Sequence, residues 1–413
     1  MEFPHASVLS PIALITMLAC ATTAVATESP SLDTRRTEEI RQLIESVLAD
    51  ADTRSSLLET TLTGGWDGHF FLASSDGNYL LEAGAQMQIR YMHSFRDNSN
   101  ADDSRGGFQN RRIKLVFEGH LIDPSLEYLV SVNVISTLSL SDGYIKKTFE
   151  NGFSLRIGQF KPPFLREELL SSKRMLAVER SVVNDNGVWN QDRSLGVEVA
   201  YGNDDVHASL MIHNGFSRDG MVAMNEDTEY AIAGRVEFLL AGSFKQFGDA
   251  PSWRGEAFAA LLGTAFNLEK DEHGTTTGPE EKRLAWTADL TLEGDGSNFS
   301  VALLAQHSMI NSSPDLHRYG VVVQGGTFIT DNLELFSRFE WGDLDLPGVS
   351  ELSIITFGCN RYFSKHTIKW TTDIGFGLNE VDANWVQSNS AWLADAPGES
   401  GQIVIRSQFQ LLF

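Results

Sequence analysis

The sequence predicts an all-β protein, a transmembrane antiparallel barrel of about sixteen strands preceded by a short N-terminal helix. Three observations lead there. Runs of about ten residues alternate apolar and polar side chains. The connections between these runs alternate short and long. Past the leader, no segment holds the ~20 apolar residues that a spanning helix needs. Composition agrees: 35 glycines and 25 phenylalanines stand against 11 prolines in 413 residues, which suits long strands and tight turns.

The first element is an export signal. Val8 to Ala21 is apolar but too short to span a bilayer comfortably, and Ala24-Val25-Ala26 fits a small-residue cleavage site. Residues 1–26 are therefore expected to be removed, although no Lys or Arg precedes Val8. The run MLAC, ending at Cys20, resembles a lipoprotein box and makes lipidation the alternative. With Cys20 gone, Cys359 stands alone, so neither a disulfide framework nor a cysteine metal site is expected.

Residues 27–78 form the next unit, a periplasmic helical segment and linker. From Asp33 to Glu59 the period turns helical, with Ile40, Ile44, Val47, Ala51, Arg54 and Leu58 at three- and four-residue steps. A coiled coil between subunits is the sharper alternative to a lone amphipathic helix. The seam covers fewer than four heptads and includes an Arg.

Residues 79–413 form the barrel. In GQIVIRSQFQLLF, Ile403, Ile405, Phe409 and Leu411 share one face with the terminal Phe413, while Arg406, Gln408 and Gln410 share the other. In NRRIKLVFEG, Ile113, Leu115 and Phe117 lie opposite Arg112, Lys114 and Glu118. The same split puts Arg90, Arg156, Glu198, Arg235, Asp289, Arg338 and Lys369 on polar faces. Short turns at Ile122–Pro124, Glu150–Gly152, Gly202–Asp205, Gly294–Ser297, Ile329–Asn332 and Ser364–His366 alternate with longer polar segments, among them Arg96–Asn110, Lys161–Arg193 and Glu269–Arg283. A closed barrel satisfies its backbone in lipid without an exposed edge. Tyr91, Phe95, Tyr201, Phe216, Trp341, Tyr362 and Trp370, near strand ends, are expected to form interfacial girdles.

Two stretches carry a family resemblance: GFQNRRIKLVFEG and SLRIGQFKPPFLREELLSSKRMLAVERS. An RR-containing second strand ending in FEG, a GQFK(x)PF strand exit, and a charged loop with an SSK and an ER pair resemble the phosphate-selective porin O and P family. The match is strongest from Gly107 to Gly202 and reaches the rest of the barrel only in pattern. The resemblance implies a homotrimeric channel in bacterial outer-membrane lipid, passing anions such as phosphate and small hydrophilic solutes by passive diffusion. It implies no cofactor. The motif marks porin architecture better than it marks phosphate as cargo.

The segment 161–193 is the third long connection, and it is expected to fold into the lumen. Pro162 and Pro163 remove ladder donors, so strand pairing ends at Lys161. Arg166 to Glu179 has helix-compatible spacing. Six basic residues (Lys161, Arg166, Lys173, Arg174, Arg180, Arg193) face five acidic ones in this loop, in a chain of net charge −23. Arg90, Arg112, Lys114, Lys146 and Arg156 make the neighbouring wall basic, and cations in a narrow pore favour anions. Glu167, Glu168 and Glu179 are expected to pair with basic neighbours, since desolvated charges need partners. Arg112, Arg156 and Lys161 are expected to face the solute near the constriction.

Other classes are disfavoured. The acidic total argues against a nucleic-acid partner. The histidines are scattered singly without metal-ligand spacing, and no GxSxG, HExxH or phosphate-loop pattern is present. The acidic long loops read as solvated segments, with surface calcium binding as the minor alternative. A barrel-type outer-membrane enzyme and a soluble β-rich binding protein remain the alternatives. The absence of lipid-sized apolar outer faces would mark the soluble class.

Overall fold

The computed structural model describes residues 62–413 except 97–103, 136, 188–190, 217–227, 273–277 and 387–388. The export signal and the 33–59 helix lie outside the described residues. A short hairpin, β1 (Leu62–Trp66) and β2 (Phe70–Ser74), comes first. The barrel opens with β3 (Leu80–Phe95), β4 (Ser104–Leu121), β5 (Asp123–Asn133) and β6 (Ser139–Thr148). It continues with β7 (Phe153–Phe160), β8 (Ser194–Gly202), β9 (Val206–His213) and β10 (Tyr230–Ala241). Next come β11 (Ala259–Glu272), β12 (Glu280–Gly294), β13 (Ser297–Ile310) and β14 (Leu316–Thr330). The last four are β15 (Leu333–Asp343), β16 (Leu352–Ser364), β17 (Ile368–Gly377) and β18 (Ile403–Leu412).

Each strand from β3 onward pairs antiparallel with its successor, and β18 pairs with β3 from Ile403↔Phe95 to Leu412↔Gln86. The sheet is therefore a closed barrel of sixteen strands, β3 to β18. Closure leaves no edge in the lipid zone. Phe413 ends the chain by donating its N–H to the Ala85 carbonyl at 3.1 Å. Beyond that point β2 takes over the free edge of β3, pairing Phe70 with Ala83 and Ala73 with Leu80. This hairpin lies in what the sequence suggests is a linker, because its runs are too short and glycine-rich for the alternation to stand out.

The outer wall is apolar. Ile89, Leu115, Ile157, Val197, Ile212, Phe266, Leu303 and Phe409 are all exposed on it, the lipid-sized face that a soluble sheet would lack. Ser407, the polar interruption on β18, accepts from Trp370 Nε1 at 2.7 Å and meets Thr372 Oγ1 at 2.9 Å. Tyr91, Phe95 and Trp370 do reach the outer surface. Phe216 and Tyr362 do not. Phe216 stacks on His213 and meets the Phe164 ring at a tilt, and the buried Tyr362 donates to Glu334 at 2.7 Å. Two long connections are shorter than the alternation suggests, since β4 begins at Ser104 and β11 and β12 run to Glu272 and from Glu280. Charged side chains at these ends hide the strand period.

One side of the interior is filled. Phe164, Leu165, Val182 and Val183 from the 161–193 connection pack with Trp385 and Trp392 from the 378–402 connection. Inward residues of the later strands, among them Ala265, Ala285, Leu304, Val322 and Ile354, complete this cluster. Glycines let the indoles approach the wall: a Cβ on Gly342 would lie 2.6 Å from Trp385 Cη2, and one on Gly375 would lie 2.8 Å from Trp392 Cζ2. The double variant W385A/W392A should keep a heat-modifiable barrel on gels while its 378–402 connection becomes sensitive to proteinase K. Each truncation removes about 3–5 kcal/mol of local packing. Unchanged protease resistance would show that other contacts hold this connection.

Candidate functional site

The 161–193 connection enters the barrel, and its backbone is held by wall side chains. Arg166–Leu169, α1, is α-helical, and Val183–Gly187 forms a single π-helical turn. The longer helix expected to Glu179 is absent because other groups claim its carbonyls. Arg180 donates to Leu170 O at 3.1 Å, and Lys161 Nζ donates to Glu168 O. Farther on, Lys369 Nζ donates to Met175 O (2.8 Å) and Asn360 to Leu176 O (3.0 Å). Asp373 accepts from Val178 N (2.9 Å), and Glu340 accepts from Val182 N (2.6 Å). These partners sit on β15–β17, so the loop lies along that wall with its polar backbone satisfied.

Glu179 crosses to the opposite wall. Its carboxylate meets Arg90 at 2.6 Å, Arg111 at 2.6 Å and Arg112 at 2.8 Å. Burial works to raise its pKa, but Arg112, Arg111 and Arg90 outweigh that and hold the carboxyl well below its usual range. Arg111 is the residue that alternation misses. Gln88 pairs with Arg112 and Ile89 with Asn110, so Arg111 is an extra residue in β4. This β-bulge lets both arginines of the RR pair reach Glu179. The dipeptide itself was the available signal.

A second network lies beside the first. Glu168 binds Arg180 at 2.7 Å and Lys161 at 3.2 Å. Arg193 binds Asp142 at 3.2 Å and Asp192 at 2.7 Å. Burial lowers the pKa of Lys161 to about 8, with Glu168 opposing the shift. Glu167 accepts from Ser181 N at 3.1 Å and lies 3.6 Å from Arg338. All three loop glutamates are therefore paired. Arg112 and Lys161, expected to be free cations on the path, are paired as well, because the loop folds back on its own base.

Three cavities with shared lining residues run along β3–β10. The first, about 320 Å³, opens toward the long connections and is lined by Arg111, Arg112, Lys114, Arg180 and Arg193 against Glu168, Asp185 and Asp192. The second, about 280 Å³, shares Lys114, Ser172 and Arg193 with the first and adds Lys161 and Lys173. The third, about 780 Å³, opens toward the short turns and shares Glu82, Glu118 and Leu129 with the second. Ser172 is fixed at the first junction by Gln86 (3.1 Å, to its hydroxyl) and Gln88 (3.1 Å, to its carbonyl). Lys114 has no hydrogen bond or ion pair among the described residues, and its ammonium stands where two cavities meet.

The remaining predicted residues are dispersed. Arg156 lines the third cavity, held by Glu198 at 2.8 Å and lying 3.8 Å over the Phe160 ring. It stands away from the narrow junction, because its strand meets the wall nearer the short turns. Lys146 pairs with Glu127 at 2.8 Å in the same cavity. Arg174 binds Asp249 at 3.3 Å and braces the loop. Arg90, only 1% exposed, is an anchor for Glu179.

Comparison with known proteins agrees with the barrel fold. The family model described as "Phosphate-selective porin O and P" matches residues 82–341. The chain belongs to this family. Its place is the bacterial outer membrane. An uncharacterized protein of Aquifex aeolicus is 25% identical over 286 residues, covering 63% of this chain. The chain spans 64% of that relative's length. Among solved structures, an anion-selective porin from Comamonas acidovorans superposes with a TM-score of 0.56 at 13% identity, covering 81% of this chain and 99% of that one. The outer-membrane channel DcaP of Acinetobacter baumannii gives 0.53 at 11%, covering 82% and 99%. At these identities the likeness is one of fold.

The Glu179 anchor makes a clear prediction. E179Q leaves three guanidinium groups facing a neutral amide, a loss of about 3–5 kcal/mol for a buried network. Trypsin should then cut at Lys173 or Arg174, and channel currents should become noisy. In the native protein the folded carboxyl is depressed, so its anchoring is complete at neutral and mildly acidic pH. It is lost only as pH falls through that low folded value. A quiet, trypsin-resistant E179Q protein would remove the anchor.

Proposed function

We propose that the protein is a passive outer-membrane channel for small hydrophilic solutes that prefers anions, phosphate among them. Lys114 carries this reading: its ammonium has no partner among the described residues and stands at the junction of two cavities, which Arg193 shares while bound to Asp142 of β6 and to Asp192. A cation in a confined, weakly screened passage attracts anions several-fold more strongly than one in bulk water. The long connections would face the cell surface and the short turns the periplasm. A homotrimer in outer-membrane lipid, as the family resemblance implies, is the proposed assembly, and the acidic long connections would remain solvated.

Planar-bilayer recording across a salt gradient tests the reading. The reversal potential should report anion preference, and properly folded protein without discrete channel steps would exclude a porin. K114Q should move the reversal potential toward cations more than R112Q does, because Arg112 is buried in direct contact with Glu179 whereas Lys114 has no partner among the described residues. Equal shifts would put the selectivity elsewhere.

The same recording gains a pH dependence from Lys161. Its ammonium is charged below about 8 and neutral above, so raising pH through that value removes a cation from the path. Glu168, Arg180, Arg193 and Asp142 are the charged groups that surround it, and they set this value together with burial. Anion preference should therefore fall as pH rises past about 8, and K161Q should flatten part of that decline. A K161Q profile identical to the native one would take Lys161 off the path.

A further inference from the structure

The inward rows of β3 and β4 change sign along the barrel axis. On β4 the row reads Arg112, Lys114, Val116, Glu118, and on β3 it reads Arg90, Gln88, Gln86, Gly84, Glu82. Strand register sets Glu82 directly opposite Glu118. Like charges in that position repel and weaken the sheet, so the fold itself gains nothing from them. Glu118 is exposed and has no hydrogen bond or ion pair among the described residues. Glu82 meets the imidazole of His69 at 3.0 Å.

These two carboxylates lie at the junction between the second and third cavities. The cations of the third cavity are each matched locally. Lys146 has Glu127 (2.8 Å), Arg156 has Glu198 (2.8 Å) and Arg235 has Glu237 (2.9 Å). Glu82 and Glu118 are then left to set its sign. The first cavity has the opposite balance, with five cations against three carboxylates.

We propose that Glu82 and Glu118 form an acidic step in series with the Lys114–Arg193 constriction, so that the path is bipolar and its current depends on direction. This rests on the channel reading above. A positive segment concentrates anions and a negative one concentrates cations. A voltage that drives anions from the long-connection side toward the short turns brings both carriers to the junction between segments. The reverse voltage draws both away and depletes it. Anions therefore move more readily from the long connections toward the short turns.

The test is single-channel current against voltage for the full mature protein, added from one side of a bilayer. At about 0.1 M KCl, where screening extends about 10 Å, the currents at equal and opposite voltages should differ about twofold or more. The ratio should approach one at about 1 M, where screening is complete within about 3 Å. E82Q/E118Q should abolish the asymmetry and move the reversal potential toward anions. K114Q should reduce the asymmetry and move the reversal potential toward cations. Symmetric native currents at low salt, or asymmetry that survives E82Q/E118Q, would overturn the proposal while leaving a working channel. A lack of channel steps would instead overturn the function on which it rests.

Discussion

The interior of this barrel is organised by one carboxylate. Glu179 is fully buried and meets three guanidinium groups from β3 and β4 within 2.8 Å. Without it the two buried cations, Arg90 and Arg112, would carry an uncompensated desolvation cost of several kcal/mol each. Their attraction to Glu179 in turn draws the loop off the β15–β17 wall and across the lumen. The excess stays positive, and Arg90 keeps two buried nitrogens without a hydrogen-bond partner. The wall supplies charge and the loop supplies too little to cancel it.

That imbalance divides the lumen. On the later strands, Arg235 binds Asp289 (2.8 Å), Arg338 binds Glu340 (2.9 Å) and Arg406 binds Asp373 (2.7 Å), so this wall is neutralised in pairs. Its remaining polar groups hold loop backbone, and apolar side chains fill the space above. Open space remains along the β3–β10 wall, where Lys114 has no partner among the described residues. The net charge of −23 says nothing about this strip. The field a solute meets depends on the charges within a Debye length of it, not on the total.

The strand count and lumen-facing rows were legible in the sequence because a period of two is rigid: one residue of slip would turn lipid-facing side chains inward. The inward loop was legible from Pro162-Pro163 and the run of mixed charge that follows. Arg111 was not, because a bulge breaks alternation by one residue at the very place where the two arginines must both turn in. Nor was the pairing of Arg112 with Glu179 or of Lys161 with Glu168. Alternation gives the face of a side chain, whereas partners across the lumen depend on how the loop folds back. The expected 166–179 helix failed for a related reason. Helical spacing in a sequence assumes that backbone carbonyls have no better donors, and here Lys161 and Arg180 provide them.

Pairing at the constriction also has a kinetic meaning. A ring of bare cations would bind an anion tightly and release it slowly, and conduction requires binding strong enough for entry yet weak enough for exit. Glu168, Asp142 and Asp192 sit within 3.2 Å of Lys161, Arg180 or Arg193 and lower the net field at the junction without reversing its sign. Their presence is what a channel needs and a high-affinity binding site would avoid. On the proposed channel reading, the carboxylates beside the path would set how quickly an anion leaves, and Lys114, whose ammonium has no partner among the described residues, would set whether it enters.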